Sequence, residues 1–535
     1  LGAEALENNT TASNNTAVGY QAGYSNTTGT GNNAFGTQAM RANTTANYNS
    51  AFGHVTMYSN STGANNAAFG GITMYSNTTG SSNSAFGYNA LYSNTTANEG
   101  TAVGYQAAYS NTSGNGTVAV GVRALLNNVT ATANTAVGRE ALKNATAGSN
   151  TAVGYDAGQL VTSGTNNNFF GHASGAATTT GSSNVAIGMT ALRYNTTGSS
   201  NTAIGHQALL NNTTQSYNTA VGNLSADANT TGVVTAFGHD SAGSNTTGLY
   251  NTALGQSSLA SVTTTSGNTA VGYTALYSTT GSNNTAVGYR AGYNNITGVS
   301  NTFLGKDAGF SSTANGNTFL GMDSGYNVTS GANNTILGRY NGNQGGLDIR
   351  TSSNNIVLSD GDGNPRMRVQ SDATTFFGPN FNVVNGSHGG AAFYAESQSR
   401  RTLYLATTGS NLPLAYFASS GGFVGNISVS TSSTSYNTSS DYRLKENVVA
   451  MTGATDRLKQ LNPSRFNFIA DADTTVDGFL AHEVQTVVPE AITGAHNEVD
   501  ADGNPVYQGI DQSKLVPLLV ATIKELEARI TALEN

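Results

Sequence analysis

At 535 residues the chain exceeds what a single hydrophobic core usually serves, so several units or a repeat are expected. Charged residues make up only 9%, with 65 glycines and 7 prolines, a balance that matches neither an ordinary globular domain nor a charged disordered tail. The net charge of −8 is thinly spread without a basic run, which argues against nucleic-acid or anionic-membrane partners, and the lack of cysteine excludes disulfides and thiolate metal sites.

The N-terminus, Leu1-Gly2-Ala3, shows no leader pattern and opens inside a repeat, so residues upstream are expected. No apolar run approaches the ~20 residues of a membrane span, and no membrane insertion is expected. The motif Asn15-Thr16-Ala17-Val18-Gly19 then recurs down two thirds of the chain. Its glycine sets the period: 21 copies run from Gly2 to Gly338, every interval being 16 or 17 residues.

From Gly19 onward the residue before the glycine is apolar in every copy, as at Val18, Phe35, Ile187 and Leu337, and is expected to be buried. One position earlier stands Ala in sixteen of twenty copies, the departures being Phe169, Phe303, Phe319 and Ile336. Seven residues after the glycine comes a recurrent Asn, as at Asn26, Asn43, Asn60, Asn77 and Asn94, at a predicted turn. A unit this short buries no core alone, but stacked copies align their apolar residues, which predicts a β-solenoid. Stacked Asn residues are expected to form amide ladders. At ~4.8 Å per rung the shaft would extend roughly 95 Å.

This repeat resembles the Ala-Ile-Gly and Ala-Val-Gly coils of trimeric bacterial adhesin heads and phage tail-fibre shafts, over residues 1–340. The resemblance implies three β-rolls packed about an axis, with the alanines marking either the approach of neighbouring walls or a corner within one chain.

Several motifs in and beyond the shaft have plainer explanations than chemistry. The Asn-Thr-Thr sequons follow from a repeat that needs Asn at turns. His54, His172, His206 and His239 follow the repeat glycine, where Tyr, Arg, Gln or Lys also occur, which points to solvent. Asp360-Gly361-Asp362-Gly363-Asn364 opens like a calcium loop, but Pro365 and Ser371 stand where the glycine and bidentate Glu belong, so a hairpin turn is expected. Asp500-Ala501-Asp502-Gly503-Asn504 is a second such turn. No metal or cofactor is expected, and no carboxylate pair of a glycosidase can be located. Residues 341–439 lose the period and alternate polar with apolar residues, as in Gly425-Asn426-Ile427-Ser428-Val429-Ser430, which predicts an interchain β neck.

Residues 440–535 hold 23 of the chain's 50 charged residues, marking a different domain. It opens with Ser440-Asp441-Tyr442-Arg443-Leu444-Lys445 and continues through Phe466-Asn467-Phe468 and Gly478-Phe479-Leu480-Ala481-His482-Glu483. Val516, Leu519, Ile523, Leu526, Ile530 and Leu533 then form an a/d seam. This order resembles the intramolecular chaperone domain of phage tail spikes and fibres, the S74 peptidase family. The resemblance implies a small α+β domain that trimerises, guides folding and then releases itself. Ser440 would be the nucleophile, Lys445 its base and Ser439–Ser440 the scissile bond. His482 departs from the family's usual Gln.

The expectation is a mainly β, homotrimeric tail fibre, on a virion or otherwise extracellular, that meets a host-surface glycan or protein receptor. A polysaccharide-degrading tailspike and a cellular trimeric adhesin are the alternatives.

Overall fold

The computed structural model describes residues 2–370, 440–500 and 503–535, with the strands Thr375–Phe377, Leu412–Ser419, Gly422–Val429 and Thr434–Thr438. The chain divides into two compact units, Leu1–Val384 and Asn385–Asn535.

The first unit is the β-solenoid that the period predicts. Each copy of the motif supplies one short strand, beginning with Thr16–Val18, Asn33–Phe35 and Ser50–Phe52, and each pairs in parallel with the next in register. Alternation along a strand sends the middle residue inward and its neighbours outward. The alanines accordingly fill the core of their own chain, Ala51, Ala102 and Ala136 being fully buried. They mark an interior, not a wall between chains.

The apolar residue before the glycine faces the other way, so its expected burial is corrected. Val18 is 41% exposed and Leu337 46% exposed, and in no rung does the chain itself bury this position. Most of the rest of the core comes from the third and fourth residues after the glycine, as at Ala39 and Met40, Ala90 and Leu91, and Ala124 and Leu125. The fourth residue adopts a left-handed conformation, with φ 54° at Met40 and 49° at Leu91. The glycine is fixed by stacking as well as by φ. At Gly104, with φ +130°, a Cβ would lie 2.7 Å from the carbonyl oxygen of Gly121.

Most of the polar residues that share this interior are hydrogen-bonded, the hydroxyls of Thr117, Thr274 and Ser324 being exceptions. The predicted amide ladder is present: Asn43 Nδ2 donates to Asn26 Oδ1 (2.7 Å), Asn60 to Asn43 (3.0 Å) and Asn77 to Asn60 (2.7 Å). Each also donates to the carbonyl three residues on, as from Asn60 to Gly63 at 2.9 Å. A second ladder runs through the Asn that opens the motif. Asn49 Oδ1 accepts from the backbone N–H of Asn66 (2.9 Å), and Asn49 Nδ2 donates to the Gly63 carbonyl (2.9 Å). Both files are buried, which leaves the sequons at Asn43, Asn60 and Asn77 no room for a glycan.

The parallel ladder continues past residue 340: Thr335–Leu337 pairs with Ile356–Ser359, which carries Val357 into the core. That strand turns back antiparallel through Asp360 into Pro365–Val369, the expected hairpin. Asp360 Oδ1 accepts from the Asn364 N–H at 2.8 Å and Oδ2 accepts from Arg366 Nε at 3.0 Å, so the turn itself uses this carboxylate.

In the second unit, Leu412–Ser419, Gly422–Val429 and Thr434–Thr438 form an antiparallel sheet, taking in most of the predicted strand at 425–430. Beyond it, α1 (Ala454–Leu458), the hairpin Ser464–Phe468 with Asp471–Gly478, α2 (Ala481–Gln485) and α3 (Val516–Glu534) complete the C-terminal module. Its core gathers Ala454, Leu461, Val484, Val488, Leu515 and Leu518.

Candidate functional site

Ser440 and Lys445 flank a single 3-10 turn, Tyr442–Leu444. Asp441 starts that turn, its carboxylate accepting from the backbone N–H of Arg443 (2.9 Å) and from Arg443 Nη2 (2.7 Å). The cap is therefore Asp441, and the Ser440 hydroxyl is free of that duty. Arg443 holds the Asp441 carboxyl below its ordinary range.

The turn ends as the Lys445 N–H donates to the Tyr442 carbonyl at 3.1 Å. One turn spanned by five residues returns the lysine side chain to the serine. Lys445 Nζ donates to Ser440 Oγ at 2.8 Å, and both residues are exposed in the single chain. A neutral amine in this position would reverse the contact and accept the hydroxyl proton, the step that turns a serine into a nucleophile. Ser439, the other side of the expected scissile bond, lies outside the described residues.

The segment around this pair has little of its own to pack against. Tyr442, Leu444, Val448 and Val449 are all exposed. His482, on α2, stacks on His496 with ring centroids 4.5 Å apart and planes 9° apart.

Across the module, Glu525 of α3 reaches the start of α1. Its carboxylate accepts from Thr455 Oγ1 (2.6 Å) and from the N–H groups of Thr455 and Ala454 (2.8 Å each). The Thr455 hydroxyl and these two N–H groups hold the Glu525 carboxyl down to about 2. Gly453 offers no side chain for the cap, so α3 supplies it. Sequence reading missed this contact because 70 residues separate the partners.

In the shaft, stacking does bring acids together. Burial and the nearby Glu140 charge raise the Asp156 carboxyl, and burial, opposed by its own backbone, with the Asp240 charge adding to it, raises that of Asp227. Burial pushes the Glu140 carboxyl up too, but its ties to Lys143 (3.2 Å), Gln159 (2.7 Å) and Arg123 prevail and hold it low. It is held in ion pairs, unlike a free general acid. The four histidines after the repeat glycine lie at or near the surface, His54, His172 and His239 exposed and His206 half-buried. Among the described residues no group of three or more His, Asp or Glu side chains converges as a metal site, and no helix is long and apolar enough to cross a membrane.

No curated protein and no solved structure matches the chain. Residues 440–493 match the Peptidase S74 family, described as chaperone of endosialidase, beginning at the serine of the pair and ending before α3. Together with a shaft of stacked 17-residue rungs, that match fits a tail fibre with a C-terminal chaperone domain.

Proposed function

We propose that the chain is a structural tail fibre, an extracellular or virion-borne adhesin, whose C-terminal module assembles three copies and then detaches by cutting the Ser439–Ser440 bond. The observation that carries this reading is the 2.8 Å contact from Lys445 Nζ to Ser440 Oγ at the first residue of the chaperone match. With the amine neutral, Lys445 takes the hydroxyl proton as Oγ attacks the Ser439 carbonyl carbon. The C–N bond breaks as the acyl group moves to oxygen, the amine of Ser440 gains the proton, and water then hydrolyses the ester.

A lysine works as a base near neutral pH only where burial or a nearby cation lowers its pKa. In one chain Lys445 is exposed. Packing of the exposed Leu444, Val448 and Val449 against a neighbouring copy would supply the burial, so that cleavage follows assembly. The a/d seam supports the same arrangement. α3 turns Leu518 and Thr522 into its own module and leaves Val516, Leu519, Ile523, Leu526 and Ile530 exposed, one face used and one face open for a coiled coil. The mature fibre would then end near residue 439, with residues 341–439 as the contact with a host-surface glycan or protein.

Denaturing gels and intact mass of wild type, Ser440→Ala and Lys445→Ala provide the test. Wild type is expected as two fragments meeting at residues 439 and 440, and both variants as full-length chain. A wild type that stays full length after assembly removes the self-cleavage reading.

A further inference from the structure

The outward column before the repeat glycine is fully buried by its own chain in no rung, yet all twenty of its residues are Val, Phe, Ile or Leu. The column just after the glycine is a useful contrast. More open to solvent, it runs mostly through Tyr, His, Arg, Asn, Gln and Lys, with Val122, Met189 and Met322 the apolar members. Solvent exposure alone therefore places no apolar demand on this surface, and the first column answers to something else. Val18, Phe170, Ile187 and Leu337 are 41%, 40%, 42% and 46% exposed. Ten of the twenty are exposed to this degree and ten are half-buried; at roughly 40–60 Å² of open apolar area per rung, some twenty rungs present about 800–1,200 Å² per chain, against the ~800 Å² per partner of a stable interface and the few hundred Å² that a monomer usually leaves bare.

The occupant is specified by pitch. Phe35, Phe52, Phe69 and Phe86 stack with centroids 4.6, 4.7 and 4.9 Å apart and planes within 6° of parallel, a straight ridge with one tooth per rung. A surface that meets every tooth of such a ridge must repeat at the same spacing in the same direction, and another copy of this chain does so. We propose that this stripe is where copies of the chain pack side by side, parallel and in register, along the shaft. The inference rests on the three-copy reading above and adds to it the surface involved.

Since the chain has no cysteine, single cysteines report the surface directly. Val137→Cys and Val271→Cys place a thiol of similar size in the stripe, and Val129→Cys places one in the exposed bend after Asn128. Treated in the full-length assembled chain with a short bis-maleimide, which joins one thiol to one other, the two stripe variants are expected to shift to a two-chain band on denaturing gels. Val129→Cys is expected to stay a single chain and to react freely with a polymer-linked maleimide. If light scattering gives the mass of three chains but the stripe cysteines neither cross-link nor resist the polymer reagent, the stripe is a free surface and the inference fails while assembly stands. If the mass is that of one chain, the three-copy reading fails and the inference with it.

Discussion

Single residues show how narrowly the solenoid interior is set. Where Phe169 replaces the usual Ala, Gly158 and Gly175 replace the usual Met or Leu in its own and the preceding rung. A Cβ at Gly158 would lie 2.8 Å from the Phe169 ring, and one at Gly175 would run into it. Phe303 repeats the arrangement with Gly292 and Gly309. The four departures from Ala were visible in the sequence, but their compensation was not, because the paired positions touch only once rungs are stacked. Phe169→Ala is expected to destabilise the shaft by about 3–5 kcal/mol, and Gly175→Leu alone to destabilise it by overpacking. Because Leu192 holds the equivalent position in the next rung at φ 52°, Leu suits that backbone. The double variant should therefore lose much less than the sum, measured as the coupling between urea midpoints. The amide ladder gives a second test. Asn60→Ala strands Asn43 Oδ1 and leaves the Gly63 carbonyl with only its bond from Asn49, at about 1–3 kcal/mol. Asn60→Asp, which can still accept from Asn77 but places a charge beside those two acceptors, should cost more at neutral pH and recover partly in acid.

At the scale of elements, the seam of α3 was legible because heptad spacing is local, and the pairing of Ser440 with Lys445 was legible through motif and resemblance. The docking of α3 on α1 was not, since nothing near Gly453 announces a cap from 70 residues away. This docking has a definite pH signature. The Glu525 carboxyl is held down to about 2, below its ordinary value near 4.3. A depressed acid contributes stability above the ordinary value, and that contribution is lost as pH falls from there through about 2. The urea midpoint of module unfolding should drop across that window. Glu525→Gln should lower the midpoint at neutral pH and flatten the same stretch of the curve. A wild-type midpoint with the same acid slope as Glu525→Gln would show that the three contacts to Thr455 and Ala454 contribute nothing in solution.

For the whole molecule, the regularity that made the shaft legible creates a problem that the shaft cannot solve alone. Its strands pair residue for residue, Thr202 with Thr219, Ala203 with Ala220, Ile204 with Val221, and nearly every rung presents the same outward ridge. Two copies displaced by one rung would lose contact at a single rung and keep the others, so the aligned arrangement is favoured by only a small part of the total. Phe170, Phe237 and the run from Phe35 to Phe86 break the uniformity, but Phe against Val differs far less than matched against empty. Staggered copies also leave open ridge at both ends, which recruits further chains in the manner of an open filament. A module that gathers the chains at one fixed point removes this degeneracy before the ridges zip together. Removal of residues 440–535 is thus expected to give chains with a folded shaft but a broad range of masses, whereas full-length Ser440→Ala, uncut but still carrying the module, should give one species of three chains. Sedimentation velocity separates the two outcomes. A truncated chain that assembles as sharply as Ser440→Ala would mean that the shaft sets its own register, and the module would then be needed for some other step.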